Sequence, residues 1–595
     1  MAHRIGDYAM IGDTLTAALV GIDGSIDWLC LPRFDSASTF GALLGDDGAG
    51  RWLVAPSGTV RETSRRYVDD TFVLVTRWVT DDGEAEVVDL MPIGGRRADV
   101  VRRVRGIHGS MEFTEELVIR FDYAGAVPWV RKVTDRTGQP GLVAIAGPDA
   151  VVVRGGPTLH DRGRRHRATF TVAAGETVDL VLTWYPAHRA APAMPDVDAN
   201  IADTVAWWQS WASTASPSPR YDAQVRRSLL VLRALTHGDT GGIVAAVTTS
   251  LPEQLGGSRN WDYRYVWLRD AALTLQALLA HGFTREAEGW RQWLLRAIAG
   301  DPADVQIMYG IAGERRLDEY ELDSLPGHRG SAPVRVGNDA YLQYQGDVFG
   351  EVMVALEQAR QCGVDEAPFS WPLQRALMDH VEQHWRRADN GIWEVRGPQR
   401  QFTHTRVMLW AAVDSAVRAV RDHGLGGPVE RWEALRDEIR DDIEAHGWDA
   451  GRRTYTQYYG GTEVDASLLR LPQVGYLAAD DPRMLGTVAA IEADLMHEGL
   501  LLRYRTEGGV DGLEGAEHPF LCCSFWLVEQ YARSGRVDDA VALMDRMLGL
   551  ANDVGLMSEE YDVERGEQAG NTPQALTHLS LVRAADAIAA ALSAG

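Results

Sequence analysis

Only four of the 595 residues are cysteine: Cys30, Cys362, Cys522 and Cys523. Four cannot staple a chain of this length into a disulfide framework, and none stands at zinc-binding spacing. Cys522 and Cys523 are adjacent in an apolar run, which predicts buried free thiols. No apolar run is long enough to cross a bilayer. The opening MAHRIGDYAM lacks the apolar segment of a secretory signal. These absences predict a cytoplasmic protein. Positive charge is short too: 59 Lys and Arg stand against 84 Asp and Glu, a net of −25. Nucleic acids and anionic membranes both need a basic footprint, so the balance speaks against either as a partner. There is no low-complexity segment, no close repeat and no metal-ligand cluster. Self-association into a homo-oligomer is left open.

What the chain has is the balance of a globular protein, 45% apolar and 24% charged. Its length exceeds one ordinary core and predicts two large domains. The first third reads as β. Thr71–Thr80 (TFVLVTRWVT) and Glu84–Leu90 (EAEVVDL) flank Asp81-Asp82-Gly83, a hairpin signature. Ser110–Phe121, Ala150–Arg154 and Arg167–Trp184 continue the β-branched alternation between Gly and Asp turns. Strands at that spacing predict an antiparallel sandwich. Pro186–Pro195 (PAHRAAPAMP) reads as a connector. Asn200–Thr214 has a helical pattern carrying Trp207, Trp208 and Trp211, which suits packing between two domains. Ser216–Arg220 (SPSPR) then breaks the chain.

From Tyr221 the apolar period becomes 3.6 and stays there. Twelve helical segments follow, at 221–237, 264–281, 284–299, 339–362, 370–387, 403–422, 428–446, 463–477, 482–497, 519–533, 536–551 and 573–593. Twelve helices in antiparallel pairs can close into a double ring, six inside six. The expected organisation is an antiparallel β-sandwich over 1–197, a linker with one helix over 198–220, and an all-α (α/α)6 barrel over 221–595. The long loops at one end of such a barrel are where a site belongs.

Gly256–Thr274 (GGSRNWDYRYVWLRDAALT) is dense in Trp, Tyr and Arg and turns directly into an apolar helix. Aromatic faces beside a fixed Arg269–Asp270 pair suit a sugar, whose C–H faces stack on rings and whose hydroxyls need a donor fork and a carboxylate. An aromatic plug at a helix start would look the same, and two later loops decide between them. Asp389–Gly397 (DNGIWEVRG) places Glu394 beside Trp393, between Ile392 and Val395. A carboxyl in apolar surroundings keeps its proton at neutral pH, as a general acid must. Gly555–Asp562 (GLMSEEYD) offers Glu559 as the carboxylate that takes a proton from water. A single loop Glu is ordinarily solvated. Two at one end of a barrel, with an aromatic and Arg–Asp cradle between them, are the apparatus for hydrolysing a glycosidic bond. Trp261 and Tyr265 read as core rather than as sugar contacts.

The chain resembles glycoside hydrolase family 15, the glucoamylases, glucodextranases and bacterial trehalases, over nearly its whole length. Ile5–Ser36 is similar to the opening of the trehalase-like branch. RNWDYRYVWLRDAALT resembles the family motif whose Arg and Asp hold the non-reducing glucose, here Arg269 and Asp270. Trp267 and Tyr263 fall on its ring-stacking positions. GIWE resembles the general-acid motif and ends on Glu394. SEEYD resembles the base motif; its first Glu, Glu559, takes the base position, with Glu560 directly after it. LDSLPGHRGSAPVRVGND (Leu322–Asp339) is similar to the loop that closes the glucose subsite. LLRYR (Leu501–Arg505) is similar to the stretch with a substrate-contacting Arg, here Arg503.

The resemblance implies an inverting, exo-acting hydrolase of small α-glucosides, with Trp267 and Trp393 walling the first glucose. The mechanism requires no cofactor and no metal ligand is assigned; dependence on phosphate or a divalent cation is not readable. The N-terminal stretch favours trehalose, with isomaltose- or maltose-type oligosaccharides as the alternative. A glycoside phosphorylase would lack the carboxylate at position 559. A non-catalytic sugar-binding protein would need neither carboxylate.

Overall fold

A computed structural model describes residues 2–95, 97–135, 138–506, 509–513, 515 and 517–594. Fifteen antiparallel strands between Tyr8 and Pro186 form one hydrogen-bonded network. Its hinge is the strand Ala98–Val118, 21 residues long. The first half of that strand pairs with Gly83–Leu90 and Thr177–Pro186, the second half with Arg51–Pro56 and His166–Ala173. One strand therefore belongs to two sheets, which fold over a core holding Trp28, Trp52 and Trp78. The switch falls at Gly109, where φ is +63° and a Cβ would lie 2.2 Å from the Asp82 carbonyl oxygen. Only glycine fits there.

The predicted hairpin is present: Leu74–Thr80 pairs with Gly83–Leu90 across Asp81-Asp82. The predicted strand Arg167–Trp184 is two strands, His166–Ala173 and Thr177–Pro186. Three strands, Tyr8–Gly12, Ala17–Gly21 and Ser25–Cys30, carry no visible alternation because every residue in them is buried. They lie against the helical part, where the Trp28 indole donates to the Val247 carbonyl at 2.8 Å.

Helix α1 (Val197–Ala212) joins the two halves. Trp208 meets Phe72 of the β region edge-on at 5.3 Å. Trp211 stacks on Phe283 at 4.1 Å and donates to Glu286 at 2.6 Å. The tryptophans of this segment are packing residues, as their spacing suggested.

The helical part comprises α2 (Asp222–Ala234), α3 (Leu268–Ala280), α4 (Thr284–Ala297), α5 (Asp347–Gln361), α6 (Ser370–His384), α7 (Thr403–Arg421), α8 (Val429–His446), α9 (Pro482–Leu495), α10 (Leu521–Arg533), α11 (Val537–Leu548) and α12 (Ala575–Ala594). The expected helix at 463–477 shrinks to the 3₁₀ turn Ala466–Arg470. Pro472 cannot donate to a helix, and Gly475 sits at φ +76°, so the segment cannot continue as α. This turn still takes its place in the ring. In order, α12, α3, α5, α7, the 3₁₀ turn and α10 each pack on the next, and the circle closes. Outside, α2 covers α12, α4 covers α3, α6 and α8 cover α7, α9 covers the turn and α11 covers α10. The result is an (α/α)6 barrel. The inner helix α3 is covered on every face: each of its residues from Leu268 to Leu279 is buried, the polar Arg269, Asp270, Thr274 and Gln276 included. α12 corrects the expectation that no segment is long and apolar enough to span a bilayer: by length and composition it is, yet it forms part of this inner wall. All four cysteines are free, and Cys522 and Cys523 are buried in α10 as predicted.

Candidate active site

The residues singled out in the sequence lie on loops that feed the N-terminal ends of the inner elements. Arg269 and Asp270 open α3. Glu394 precedes α7, Arg503 precedes α10 and Glu559 precedes α12. One pocket gathers them. It is lined by Tyr263, Trp267, Arg269, Asp270, Trp393, Glu394, Arg503 and Glu559, so all eight predicted site residues reach it. Its empty space, open solvent at the mouth included, is about 700 Å³.

Arg269 forms the deep wall. Its guanidinium grips Asp270 with two N–H donors, at 2.9 and 3.3 Å. A third donor reaches both the Ile392 carbonyl and Glu394 Oε1, the latter at 3.0 Å. The pair is therefore structural in part: it ties the loop of Glu394 to the start of α3. Glu394 has φ +52°, left-handed backbone that a non-glycine residue adopts at a cost of roughly 1 kcal/mol or more. Ile392 and Val395 beside it are buried, as the sequence implied. Burial pushes its carboxyl up, against the pull of Arg269 and Arg503. Such a group holds a proton to higher pH than a solvated Glu.

Glu559 faces the same pocket from another loop. The Tyr263 hydroxyl donates to its Oε1 at 2.6 Å, while Oε2 has no hydrogen-bond partner among the described residues. Gly570 makes room: at φ +74° it approaches so closely that a Cβ would lie 2.6 Å from Oε2. Burial and the nearby Glu253 push Glu559 up to about 8, with Arg503 and Tyr263 opposing. Glu560 turns away from the pocket. Its Oε2 accepts the His518 backbone N–H at 3.1 Å, and its Oε1 lies 3.9 Å from Arg503. Adjacent residues on an extended segment point to opposite sides, which separates the two glutamates.

Trp267 meets Tyr263 edge-on at 5.4 Å. Trp393 is fixed by its indole N–H, which lies 3.0 Å from Asp465 Oδ1, and packs against Trp526 and Phe520. Arg503 is held by Glu517 at 2.7 and 3.0 Å and by Glu253 at 3.3 Å. Of the loop Leu322–Asp339, Asn338 reaches the pocket lining.

Sequence reasoning missed Glu253, which lies only six positions before Arg259, the start of the RNWDYRYVWLRD motif. It lines the pocket, accepts the Trp261 indole N–H at 3.0 Å and is pushed up to about 7, chiefly by burial. Nothing in its spacing announces it; its properties come from being buried beside other carboxyls. Trp261 corrects the sequence reading. It lines the pocket between the guanidinium groups of Arg335 and Arg396, 4.7 and 4.3 Å from its ring, rather than filling the core. Tyr265 is core, as expected.

Two carboxyl groups from separate loops open on one pocket with an Arg–Asp fork in its wall, the residue types a glycoside hydrolase uses. The chain belongs to the glycosyl hydrolases family 15: the family profile matches residues 219–586, and a trehalase-like N-terminal profile matches residues 1–182. A trehalase of Mycobacterium tuberculosis is 35% identical over 611 residues, covering 98% of this chain and 89% of that one. A trehalase of Thermoplasma volcanium is 33% identical over 596 residues, covering 99% and 94%. Among solved structures, a bacterial glucoamylase complexed with acarbose superposes with a TM-score of 0.75 at 13% identity, covering 99% of this chain and 94% of that one. At that identity it speaks for the fold: a β domain followed by an (α/α)6 barrel.

Proposed function

We propose that this glycosidase is an inverting, exo-acting α-glucoside hydrolase whose substrate is α,α-trehalose. The observation that carries the reaction is the pairing of Glu394 and Glu559 across one pocket. Trehalose is favoured because relatives named trehalases match both the β domain and the barrel.

Glucose enters with its outer hydroxyls toward Arg269 and Asp270, and Trp267, Tyr263 and Trp393 wall its ring. The wall ends the site on that side, so cleavage is exo. Glu394 gives its proton to the glycosidic oxygen as the bond to the anomeric carbon stretches. Water attacks the opposite face and loses a proton to Glu559. The bonding pair of the broken C–O bond stays with the leaving oxygen, now a hydroxyl. Positive charge on the ring is greatest midway and meets the carboxylates around it. Water is the second substrate and no cofactor takes part.

The test is proton NMR of the anomeric signals during the first minutes on trehalose, without added phosphate. Both halves of trehalose are α-linked. Inversion turns the attacked glucose to β and releases the other as α, so the two anomers must appear in equal amounts before mutarotation. Retention would release only α-glucose and sink the role given to Glu559. Isomaltose and maltose in parallel test the linkage; faster glucose release from either would overturn trehalose as the substrate.

A further inference from the structure

The chain is strongly acidic, yet one groove on the β domain is basic. It runs between the strand Trp129–Thr134 and the hairpin of His160–Asp161 with His166–Ala173, and Arg120, Arg131, Lys132 and Arg164 line it. Lys132 is the only lysine in the sequence. Among the described residues, none of these four cations has a carboxylate within 4.0 Å, whereas Arg165 and Arg167 on the same hairpin share Glu116. Asp161 is the single acid in the lining. Arg120 is half-buried and faces Arg164 and Arg165, which together with burial depress its pKa. Like charges gathered without counter-charges cost free energy that an anionic partner removes.

Two further features mark the groove as a protein contact. Trp129 is 82% exposed, the most exposed of the large apolar side chains, and Val127 beside it is 48% exposed. A Trp flanked by arginines is the usual energetic centre of a protein interface. Among the described residues the strand Trp129–Thr134 also ends its sheet, pairing only with Pro140–Ala146, so its other edge is a sheet edge with backbone donors and acceptors to offer.

We propose that this groove is a self-association site that takes an acidic face of a second copy of the chain. The partner of matching charge is the chain itself, because a net of −25 leaves its remaining surface acidic. Net repulsion between copies does not forbid the contact: at physiological salt, charges more than about 8 Å apart are largely screened, so local complementarity decides. Patch cannot meet patch, since both are basic. The contact is therefore groove on acidic face, made reciprocally in a two-fold dimer or head-to-tail in a larger ring.

The single lysine makes the test specific. Unlabelled and ¹⁵N-labelled protein are mixed in equal parts and treated with a carbodiimide, which joins an amine to a carboxylate without a spacer. The expected result is mixed-isotope peptide pairs linking Lys132 to Asp or Glu, distinct from any product of the N-terminal amine. Sedimentation velocity should show an oligomer that the Trp129→Ser/Arg164→Glu variant shifts to monomer, with glucoside hydrolysis unchanged. Trp129→Ser alone should shift it part of the way. A wild-type chain that is monomeric at tens of micromolar overturns the proposal. So does an oligomer indifferent to both variants, or a monomer that binds phosphatidylserine vesicles through this patch.

Discussion

Replacing Glu253 by Gln should move the acidic limb of the pH–rate profile to lower pH. The amide keeps the shape but has one acceptor oxygen, so it can keep the hydrogen bond from Trp261 or the one from Arg503, which end on different oxygens of the native carboxylate. The titratable charge is lost together with one of these two bonds. In the native site Glu253 is pushed up to about 7 and Glu559 to about 8, and Glu253 is the largest charge acting to raise Glu559. The two carboxyls titrate as a coupled pair, so charge on Glu253 bears on Glu559 over the range where both change state. Its negative charge therefore favours protonated Glu559, and its removal lowers the pKa of Glu559. The proposed base works only when ionised, so kcat/KM falls as pH drops through that pKa. The limb should shift down by about one pH unit, or about 1.4 kcal/mol, the scale for a close like charge. On the limb itself the variant should be up to about tenfold faster than wild type. The assay is glucose release from trehalose at low substrate concentration, since kcat/KM reports the free enzyme. A merely structural Glu253 would lower the plateau and leave the limb in place. An unmoved limb, or one moved to higher pH, would refute the reasoning.

Glu394→Gln should cost roughly 10² to 10⁴ in kcat on trehalose and much less on an aryl glucoside whose leaving group needs no proton; equal loss on both would remove Glu394 from the acid role. Glu559→Gln should abolish turnover, while Glu560→Gln, which faces His518 and Arg503 rather than the pocket, should retain most of it; the reverse order in steady-state rates would exchange their roles. Arg269→Lys keeps the charge but loses the fork to Asp270, Glu394 and Ile392, so kcat/KM should fall by about 2 to 4 kcal/mol; circular dichroism in parallel separates this from unfolding. Gly570→Ala puts a methyl group against Glu559 in left-handed backbone, so kcat should drop at least about tenfold with KM little changed, and a variant as fast as wild type would mean that the carboxylate has room to move.

Much of this was legible because the relevant signals are local. Period 3.6 marks helices whether they sit inside or outside the ring, and Asp81-Asp82-Gly83 marks a hairpin from its own chemistry. The motifs around Arg269, Glu394 and Glu559 are contiguous, so each could be read in one window. What escaped was non-local. The buried strands Tyr8–Gly12 and Ala17–Gly21 show no alternation, since both faces are covered. The switch of Ala98–Val118 between two sheets depends on a close approach at Gly109 that no window reveals. The ion pair of Arg269 with Glu394 joins residues 125 positions apart. Glu253 matters only because folding brings it among other carboxyls. Trp261 looked like core because aromatic density cannot distinguish a ring that fills a wall from one that lines it.

The site sets two electrostatic effects against each other, and their sizes decide its behaviour. Four inner helices, α3, α7, α10 and α12, start on or just after pocket-lining segments, and each such end favours a nearby carboxylate by about 0.3 to 1 kcal/mol. Burial and the charge of Glu253 work the other way: net of Arg503 and Tyr263 they raise Glu559 from 4.5 to about 8, on the order of 5 kcal/mol against its charged form. Four such ends give at most about 4 kcal/mol together, so helix ends alone do not keep Glu559, the proposed base, ionised in the empty pocket. A cation could, and the reaction makes one. As the glycosidic bond stretches, positive charge grows on the sugar ring in the midst of Glu559 and Asp270. Each carboxylate gains most from the ring at the moment the ring needs it most. The cost of burying these groups is borne in the ground state and relieved in the transition state, which is the form of binding that accelerates a reaction.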